Sequence, residues 1–302
     1  MAINTGALSR ALKPGVDLWF GLAYNELPEE WRQIFDVSMS EMNFEEDVNV
    51  NGFGLANVKP EGQTLQYDVM QQGWIQRYTH ITYALGYVIT REAIDDNLYM
   101  KLAQQRTNAL AMSMRQTKEN VCANILNRAF NSSYTYADGV SLCNSSNLLS
   151  KGGTYSNQLA TAADLSEAAL EQALIDISGF VNDAGLRISA MGNKLIIPRQ
   201  LKFEAERILK STLQNDSANN ALNAMNSLGS LPGGISMNHY LSSATAWFIK
   251  TNVPEGLKFF QRRALEVDSD NEFDTENLKY KATERYSVGA TDKRGIYGTA
   301  GV

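Results

Sequence analysis

Cysteine and histidine are scarce in this sequence. Its 302 residues include two of each: Cys122, Cys143, His80 and His239. Two thiols are too few for a disulfide framework and lack the spacing of a zinc or redox motif, so we expect plain structural thiols in a reducing cytosol. A metal site or a Ser-His or Cys-His catalytic pair would depend on one histidine, and neither has a neighbour at ligand spacing. The sequence therefore predicts no metal and no cofactor.

Basic residues are outnumbered by acidic ones. The chain has 27 lysines and arginines against 33 acidic residues, a net charge of −6. A dedicated DNA-binding protein needs a basic field to hold phosphate backbones, so we expect only weak or local contact with nucleic acid. No run approaches the roughly 18 apolar residues of a membrane helix, and the opening stretch lacks the apolar core of a signal peptide. We therefore expect no membrane partner and folding in the cytoplasm.

The motifs of common enzyme classes are missing. No GxSxG elbow, P-loop or GxGxxG motif opens a helix after a strand. Asp95 and Asp96 form the best carboxylate pair, but they fall near the start of a predicted helix, where they complement its positive end. We predict that the chain is not an enzyme. A soluble two-lobed enzyme is kept as an alternative, and it would require a perturbed titratable cluster in a closed pocket.

The first third of the chain is rich in aromatic residues and strand-like alternation. Residues 1–46 scatter aromatic side chains among polar ones without a regular period, which is typical of an arm that packs on another body. From 51 to 89 the pattern predicts a long hairpin with a turn at Lys59–Gly62, followed by a half-buried strand. Five alternating apolar residues share one face of that strand: Ile81, Tyr83, Leu85, Tyr87 and Ile89.

A long helix is predicted from Arg91 to about Phe130. Thr90 can cap it, and the stretch contains no glycine and no proline. At 1.5 Å per residue it would extend roughly 60 Å, with an apolar stripe that lies across a sheet or another subunit. Two helices broken near Thr107 or Thr117 remain the alternative.

The second half alternates loops with regular elements. The composition of residues 131–161 predicts a long loop, and a loop of this length is expected to contact another molecule. Helical spacing then runs from Ser166 to a stop at Gly185, and a strand at 194–197 precedes a helix opened by Pro198. An asparagine-rich loop covers 215–234. Strands are predicted at Trp247–Ile249, Leu257–Phe260 and Leu278–Val288, before a turn and tail at Asp292–Gly298.

Short matches in a fixed order resemble the major capsid proteins of tailed phages. They start at Leu12-Lys13 in the aromatic arm, pass through Gly86–Thr90 and the acidic start of the long helix, and end at Asp292–Gly295. Between these lie Gly152–Asn157, Leu165-Ser166, Lys194–Pro198, Trp247, Lys258–Phe260, Tyr286 and Gly289. The order spans nearly the whole chain. The resemblance is to the Hong Kong 97 fold, and most closely to Mu-like major head subunits.

This resemblance implies an α+β fold with four parts. Residues 1–46 would be an N-terminal arm lying along a neighbouring subunit, and 47–89 an extended E-loop hairpin. Residues 90–165, completed by 261–302, would form a peripheral domain with a spine helix. Residues 166–260 would form an axial domain, with 215–234 as a candidate tip loop around the five-fold and six-fold axes.

The resemblance also implies function and partners. The chain would assemble into pentamers and hexamers of an icosahedral head that encloses double-stranded DNA without sequence-specific binding. Scaffolding, portal and decoration proteins are possible partners. No long charged helical region precedes the arm, so we expect any scaffold to be a separate protein or a propeptide removed before Met1, and Met1 argues against the latter. Candidate assembly residues are Lys59, Glu61, Trp74, Arg77, Arg262, Arg263, Lys293 and Arg294.

Two variations on this function stay open. An encapsulin-like bacterial nanocompartment shares the fold, and cargo-peptide binding would distinguish it. Some capsid relatives cross-link an E-loop lysine to a neighbouring asparagine, and Lys59 is on the matching loop, although a solvent-exposed turn explains it equally well. The two basic pairs, Arg262-Arg263 and Lys293-Arg294, are expected to be solvated or salt-bridged at a subunit contact.

Overall fold

A computed structural model describes residues 18–26, 28–50, 52–70, 72–95, 99–214 and 221–302. Predictions about the first 17 residues, Asp96 and residues 215–220 lie outside the described residues. The described chain combines helices with two four-stranded sheets and two short two-stranded ones. This mixture agrees with the predicted α+β class.

The first sheet has the strand order β1-β10-β11-β4. Its members are β1 (Asp36–Met39), β4 (Ile81–Ile89), β10 (Leu257–Asn271) and β11 (Leu278–Ala290). β1 runs parallel to β10, and the other neighbours are antiparallel. The alternation read from the sequence predicted β4 and β11 correctly. In β11 the alternate residues from Leu278 to Tyr286 are buried, whereas Ile81 and Leu85 on the apolar face of β4 are exposed.

The long helix α3 (Tyr99–Asn127) packs on this sheet. Its 29 residues include Thr107 and Thr117, so the prediction of an uninterrupted helix is confirmed for this stretch and the two-helix alternative is wrong. Thr107 is buried and its hydroxyl lies 2.7 Å from the Tyr87 hydroxyl, which satisfies a polar group in the contact. A short helix, α2 (Arg91–Asp95), precedes α3.

A hairpin extends away from the first sheet. Its stem pairs β2 (Phe44–Val50) with β3 (Gln72–Thr79), and the described loop 52–70 between them contains no strand. The predicted turn is present at its tip, where Gln63 N–H donates to the Pro60 carbonyl and Gly62 has a φ of +82°. That angle lies in the left-handed region, which glycine adopts without a Cβ clash.

The second sheet has the order β12-β9-β7-β8. It contains β7 (Gly192–Pro198), β8 (Ile235–Asn238), β9 (Trp247–Thr251) and β12 (Ile296–Thr299). The prediction of a turn and tail after Asp292 is therefore wrong in its second part. This segment forms β12 instead, which pairs with β9 at one edge of the sheet, and all four of its residues are buried.

Three helices cover one side of the second sheet. They are α4 (Glu167–Ser178), α5 (Lys202–Lys210) and α6 (Ala224–Leu228). Ser166 caps α4 by accepting from Ala169 N–H, as predicted, but the helix ends at Gly179 and not at Gly185. Gly185 instead has a φ of +79° in a tight turn whose Asn182 N–H donates to the Leu186 carbonyl.

The loop 131–161 packs on the chain's own core. It contains two paired strands of two residues each, β5 (Asn147–Leu148) and β6 (Thr154–Tyr155). Asn157 is fully buried, and its side-chain amide donates to the carbonyls of Leu142, Lys293 and Ile296 at 2.9–3.2 Å. The loop is therefore anchored within the subunit, and its outside partner stays a prediction.

One hydrophobic cluster joins the two sheets. It brings together Phe248 and Ile296 of the second sheet, Phe259 and Tyr286 of the first, and Leu126 of α3. Phe259 and Tyr286 stack with ring centroids 5.0 Å apart. The two sheets thus share this cluster, in addition to separate clusters that pack the second sheet against its helices and the first sheet against α3.

Candidate assembly surfaces

The loop 52–70 carries seven large apolar side chains that are exposed. Every residue in it is exposed, including Lys59 and Glu61 near its tip. Its large apolar members are Phe53, Leu55, Val58, Leu65, Tyr67, Val69 and Met70. Contiguous exposed apolar groups in a globular protein mark contact sites, so this loop is a candidate docking element.

Trp74 and Arg77 lie on the hairpin stem. Trp74 is partly exposed, and the guanidinium of Arg77 stacks 3.8 Å from the ring centroid of Phe44 across the stem. A weak ion pair joins Arg77 to Glu46 at 3.9 Å. Both predicted residues are therefore on the surface, where a second subunit could reach them.

Arg262 and Arg263 lie at an irregularity in β10, between the parts of the strand that pair regularly with β11. Arg263 is exposed, with Nη2 donating to Thr283 at 3.1 Å and Nε 3.7 Å from Glu266. Arg262 is half-buried. This pair partly matches the expected solvated and salt-bridged setting.

Lys293 and Arg294 correct the prediction for the second basic pair. Both are 5% exposed. The ammonium of Lys293 pairs with Asp138 at 2.5 Å and donates to the carbonyls of Val140 and Ser141. Arg294 pairs with Asp183 at 3.0 Å and with Asp292 at 3.1 Å. They are internal connections between distant segments, and a solvated position is wrong for both.

The described part of the predicted N-terminal arm contacts the core of its own chain. Helix α1 (18–24) and the turn after it bury Phe20, Trp31 and Phe35 in the chain's own clusters. The carboxylate of Glu119 on α3 accepts the main-chain N–H groups of Glu30 at 2.9 Å and Trp31 at 3.0 Å. The described residues between 18 and 35 therefore pack on the chain's own core, and the assignment of 1–46 as an arm along a neighbouring subunit stays a prediction.

Buried charge ties this N-terminal segment to the first sheet. Lys118 on α3 lies 2.6 Å from Glu284 on β11, and its ammonium donates to the Tyr24 hydroxyl at 3.0 Å. Burial raises the pKa of Glu119 to about 7, and the two main-chain donors only partly offset this effect. Sequence reasoning missed these residues, because Lys118-Glu119 on a helix is equally typical of a solvated face.

The two cysteines are buried apart from any group of metal-ligating side chains in the described part of the chain. Cys122 and Cys143 are both buried and free, and burial raises the pKa of the Cys143 thiol to about 12. Among the described residues, no three His, Cys, Asp or Glu side chains come together as a metal site. None of the helices in the described ranges is long and apolar enough to cross a membrane.

Comparison with known proteins gives a family match and a shared fold. The family described as "Phage capsid protein" matches residues 75–299. No curated protein matches the chain.

Solved structures resemble the fold over nearly the full length. A virus-like particle from Pyrococcus furiosus has a TM-score of 0.54 at 10% identity, covering 94% of this chain and 97% of that one. The capsid of a native GTA particle has a TM-score of 0.54 at 14% identity, covering 91% of this chain and 92% of that one. A structure of Mycobacterium phage Patience has a TM-score of 0.52 at 11% identity, covering 99% of this chain and 89% of that one. At these identities the likeness is one of fold.

Proposed function

Because the chain belongs to the phage capsid protein family, we propose that it is the major subunit of a phage head, assembling as pentamers and hexamers into an icosahedral shell. The family match over residues 75–299 carries this proposal. The α+β architecture of the Hong Kong 97 type agrees with it, since capsid structures share the fold over almost the whole chain.

The exposed loop 52–70 supports assembly on physical grounds. A subunit that leaves seven large apolar side chains in water on one loop gains stability when another copy covers them. Interfaces of ordinary size bury about 1,600 Å², and a shell subunit makes several. The Mu-like head subunits remain the relatives that the local sequence matches favour.

The four-part division is proposed on the observed architecture. The hairpin corresponds to the E-loop, and the first sheet with α3 corresponds to the peripheral domain completed by 261–302. The second sheet with α4 to α6 corresponds to the axial domain at 166–260, to which the C-terminal strand β12 is added from outside that range. In this scheme the five-fold and six-fold contacts fall at the candidate tip loop 215–234, whose described part contains the short helix α6.

In this proposal the shell encloses the genome without binding it tightly. A net charge of −6 provides no chain-wide attraction for double-stranded DNA, so packaging and ejection meet little resistance from the wall. Scaffolding, portal and decoration proteins would be contacted in the virion and during assembly in the cytoplasm of the bacterial host.

A nanocompartment shell is the second candidate, favoured by the likeness to the virus-like particle from Pyrococcus furiosus. Particles of the two kinds differ in content. Nuclease-resistant DNA inside particles from infected or induced cells supports the phage head, whereas a co-purifying protein cargo without DNA supports the nanocompartment.

Electron microscopy with light scattering tests the proposal. The chain, expressed with its scaffold, should give closed shells of uniform diameter. A strictly monodisperse species at the 33.4 kDa of one chain, at high concentration and with scaffold present, would overturn it.

A further inference from the structure

One face of the hairpin stem lies against the body of the subunit. Strand alternation places four residues on this face, since Glu45 pairs with Tyr78 and Asp47 pairs with Gln76 across the two strands. The opposite face includes Val48, which is 42% exposed. Each of the four inward residues has a hydrogen-bond partner outside the stem, so the stem is attached to the body by its side chains.

The Asp47 carboxylate connects this face to the first sheet. One of its oxygens accepts from the Lys258 ammonium on β10 at 2.7 Å and from the Thr291 hydroxyl, just after β11, at 2.7 Å. The side chains of Lys258 and Asp47 are 12% and 22% exposed, and a charge-assisted bond shielded in this way is stronger than one in open water. Because the Thr291 hydroxyl has one proton, the Tyr78 hydroxyl 2.6 Å away donates to it. One carboxylate therefore ties both strands of the stem to the end of β11.

Packing fixes the ring of Tyr78, and with it the hydroxyl that enters this network. Tyr78 is 2% exposed, and its ring lies edge-on to Phe260 with the centroids 4.9 Å apart. On the other strand, a Cβ atom at position 289 would lie 2.7 Å from the ring carbon Cε1 of Tyr78, closer than carbon atoms approach. Gly289 is therefore required for the ring to occupy this position, since glycine has no Cβ atom.

His80 holds the base of the stem, between β3 and β4. Its Nε2 lies 2.9 Å from the Ser40 hydroxyl, and its Nδ1 lies 3.0 Å from the hydroxyl of Ser287 on β11. The Ser40 hydroxyl donates to Glu45 at 2.6 Å and so accepts from Nε2, which leaves Nδ1 to accept from Ser287. Burial and the positive charge of Arg285 lower the pKa of His80, which favours the neutral ring that this arrangement requires.

Contacts with the body continue toward the far end of the stem. The side-chain oxygen of Gln76 accepts the Ala137 main-chain N–H at 3.0 Å. Beyond it, Asn49 and Trp74 line a small cavity together with Arg294. A hairpin held at one point would swing about it, whereas attachments spread along one face fix its direction. An isolated two-stranded hairpin is only marginally stable in water, so the stem also needs this support to keep its pairing.

We propose that Asp47 is a positioning residue: through Lys258 and Thr291 it fixes the direction of the hairpin in the unassembled subunit, before any partner is present. The loop 52–70 is then presented in one direction by a stem that is already in place. The fixed direction is a property of the single subunit, and its benefit for assembly rests on the proposed shell function. Preorganisation of this kind reduces the conformational entropy that is lost on association.

The distance between two spin labels measures the direction of the stem. Val48→Cys and Ala264→Cys place labels at exposed positions outside the network, and the native thiols are buried. The unassembled labelled subunit should show one narrow distance distribution. Asp47→Ala should widen it at least about twofold, because the acceptor of both bonds is lost. Glu46→Ala, which removes the neighbouring outward carboxylate, should leave it unchanged. A broad distribution without Asp47→Ala, or a narrow one with it, overturns the proposal.

A conservative variant and the unmodified chain give two further measurements. Asp47→Asn keeps an acceptor for the Thr291 hydroxyl but not the charge, so its distance distribution should lie between those of the unmodified chain and Asp47→Ala. Hydrogen–deuterium exchange on the unmodified, unassembled subunit needs no variant to fold. Peptides covering 44–50 and 72–79 should be protected, while 53–70 exchanges at once. Stem peptides that exchange as fast as the loop would show that the body does not hold the stem.

Assembly kinetics separate this proposal from the proposed function. With scaffold present, Asp47→Ala should form shells about tenfold more slowly than Glu46→Ala by light scattering, because its hairpin must be ordered during association. Equal rates for the two variants would overturn the role of Asp47 in assembly. Absence of shells from the unmodified chain would instead overturn the proposed function and leave the spin-label result for the single subunit standing.

Discussion

At the scale of single residues, the ion pair between Lys118 and Glu284 joins three parts of the subunit. It lies 2.6 Å across the contact of α3 with β11, and the Lys118 ammonium also reaches Tyr24 in α1. Both charged side chains are almost completely buried. The pair is therefore sensitive to the loss of either partner, because the other charge would stay in the core.

Lys118→Met should destabilise the subunit by about 3–5 kcal/mol, since it leaves the Glu284 carboxylate buried without its partner. The double variant Lys118→Met with Glu284→Gln should recover a large part of that loss. Urea unfolding of the unassembled subunit measures both. Equal stability of the single and double variants would contradict the pairing.

Glu119 makes the stability of the subunit depend on pH. Burial raises its pKa from 4.5 to about 7, so the folded chain binds this proton more tightly than the unfolded chain does. The resulting contribution is fully present below pH 4.5 and is lost as the pH rises to about 7. The unmodified subunit should lose stability between pH 5 and pH 8 that Glu119→Gln does not lose.

Denaturant unfolding at several pH values measures this difference. Glu61→Gln, which changes an exposed loop carboxyl, is the matched control and should follow the unmodified chain. Parallel pH curves for Glu119→Gln and the unmodified chain would show that Glu119 titrates at an ordinary pKa in the folded state.

Residue roles were the least predictable part of the site. The sequence pair Lys293-Arg294 is identical in character to a solvated basic pair, and its partners Asp138 and Asp183 are more than a hundred residues away in the chain. Only the fold brings these carboxylates to it. By contrast, Lys59 and Glu61 were placed correctly at an exposed turn, because proline and glycine fix turns locally.

At the scale of elements, helix α3 provides the support for the first sheet. Met112 is half-buried in its interior and Leu110 is buried against the sheet. Met112→Pro should destabilise the subunit by about 3 kcal/mol or more, because proline removes a main-chain hydrogen bond and clashes with the preceding turn.

Circular dichroism and particle yield measure the effect of Met112→Pro, with Met112→Leu as the control that keeps volume and helix propensity. The proline variant should lose helix signal and fail to assemble, while the leucine variant behaves normally. Normal shells from the proline variant would be inconsistent with a continuous helix at Tyr99–Asn127.

The hairpin loop separates folding from assembly. Replacing Ala56 to Gln66 with a short Gly-Ser linker should leave the melting temperature of the subunit nearly unchanged, because every side chain removed is exposed. The variant should nevertheless build no stable shells. Calorimetry measures the melting temperature, and electron microscopy measures shell formation. The E-loop assignment would be wrong if the variant were unfolded, and equally if it formed normal particles.

The sequence identified elements where the pattern is local and long. The absence of glycine and proline located α3, and strict alternation located β4 and β11. Strand β12 was missed, because four residues containing Gly298 give too short a pattern beside a turn. The position of β4 at the edge of the sheet, as described, was beyond sequence reasoning, since it depends on which strand lies next to which.

At the scale of the whole molecule, the shared core should make the subunit unfold as a single unit. Phe248 of the second sheet and Phe259 of the first belong to the same buried cluster. The unassembled subunit should therefore give one calorimetric transition, with van't Hoff and calorimetric enthalpies in agreement. Two separated transitions would show that the proposed peripheral and axial domains are thermodynamically independent.

The order of elements predicted the fold class of the whole molecule better than any single motif. Strand, long helix, helix–strand–helix and final strands appear in the expected sequence, and the family match covers the same region. The described part of the arm could not be assigned from sequence. Scattered aromatic residues such as Trp31 and Phe35 indicate burial without saying whether the covering surface belongs to the same chain.

The pairing of β1 with β10 also has a consequence during synthesis. Asp36 lies beside Lys258, and Trp31 packs 4.2 Å from Phe259, so the N-terminal strand has its partner about 220 residues later. At ribosomal rates of about 5–20 residues per second, β1 waits roughly 10–45 s until its partner strand β10 has been made. A chain that ends before β10 lacks this partner and cannot complete the first sheet.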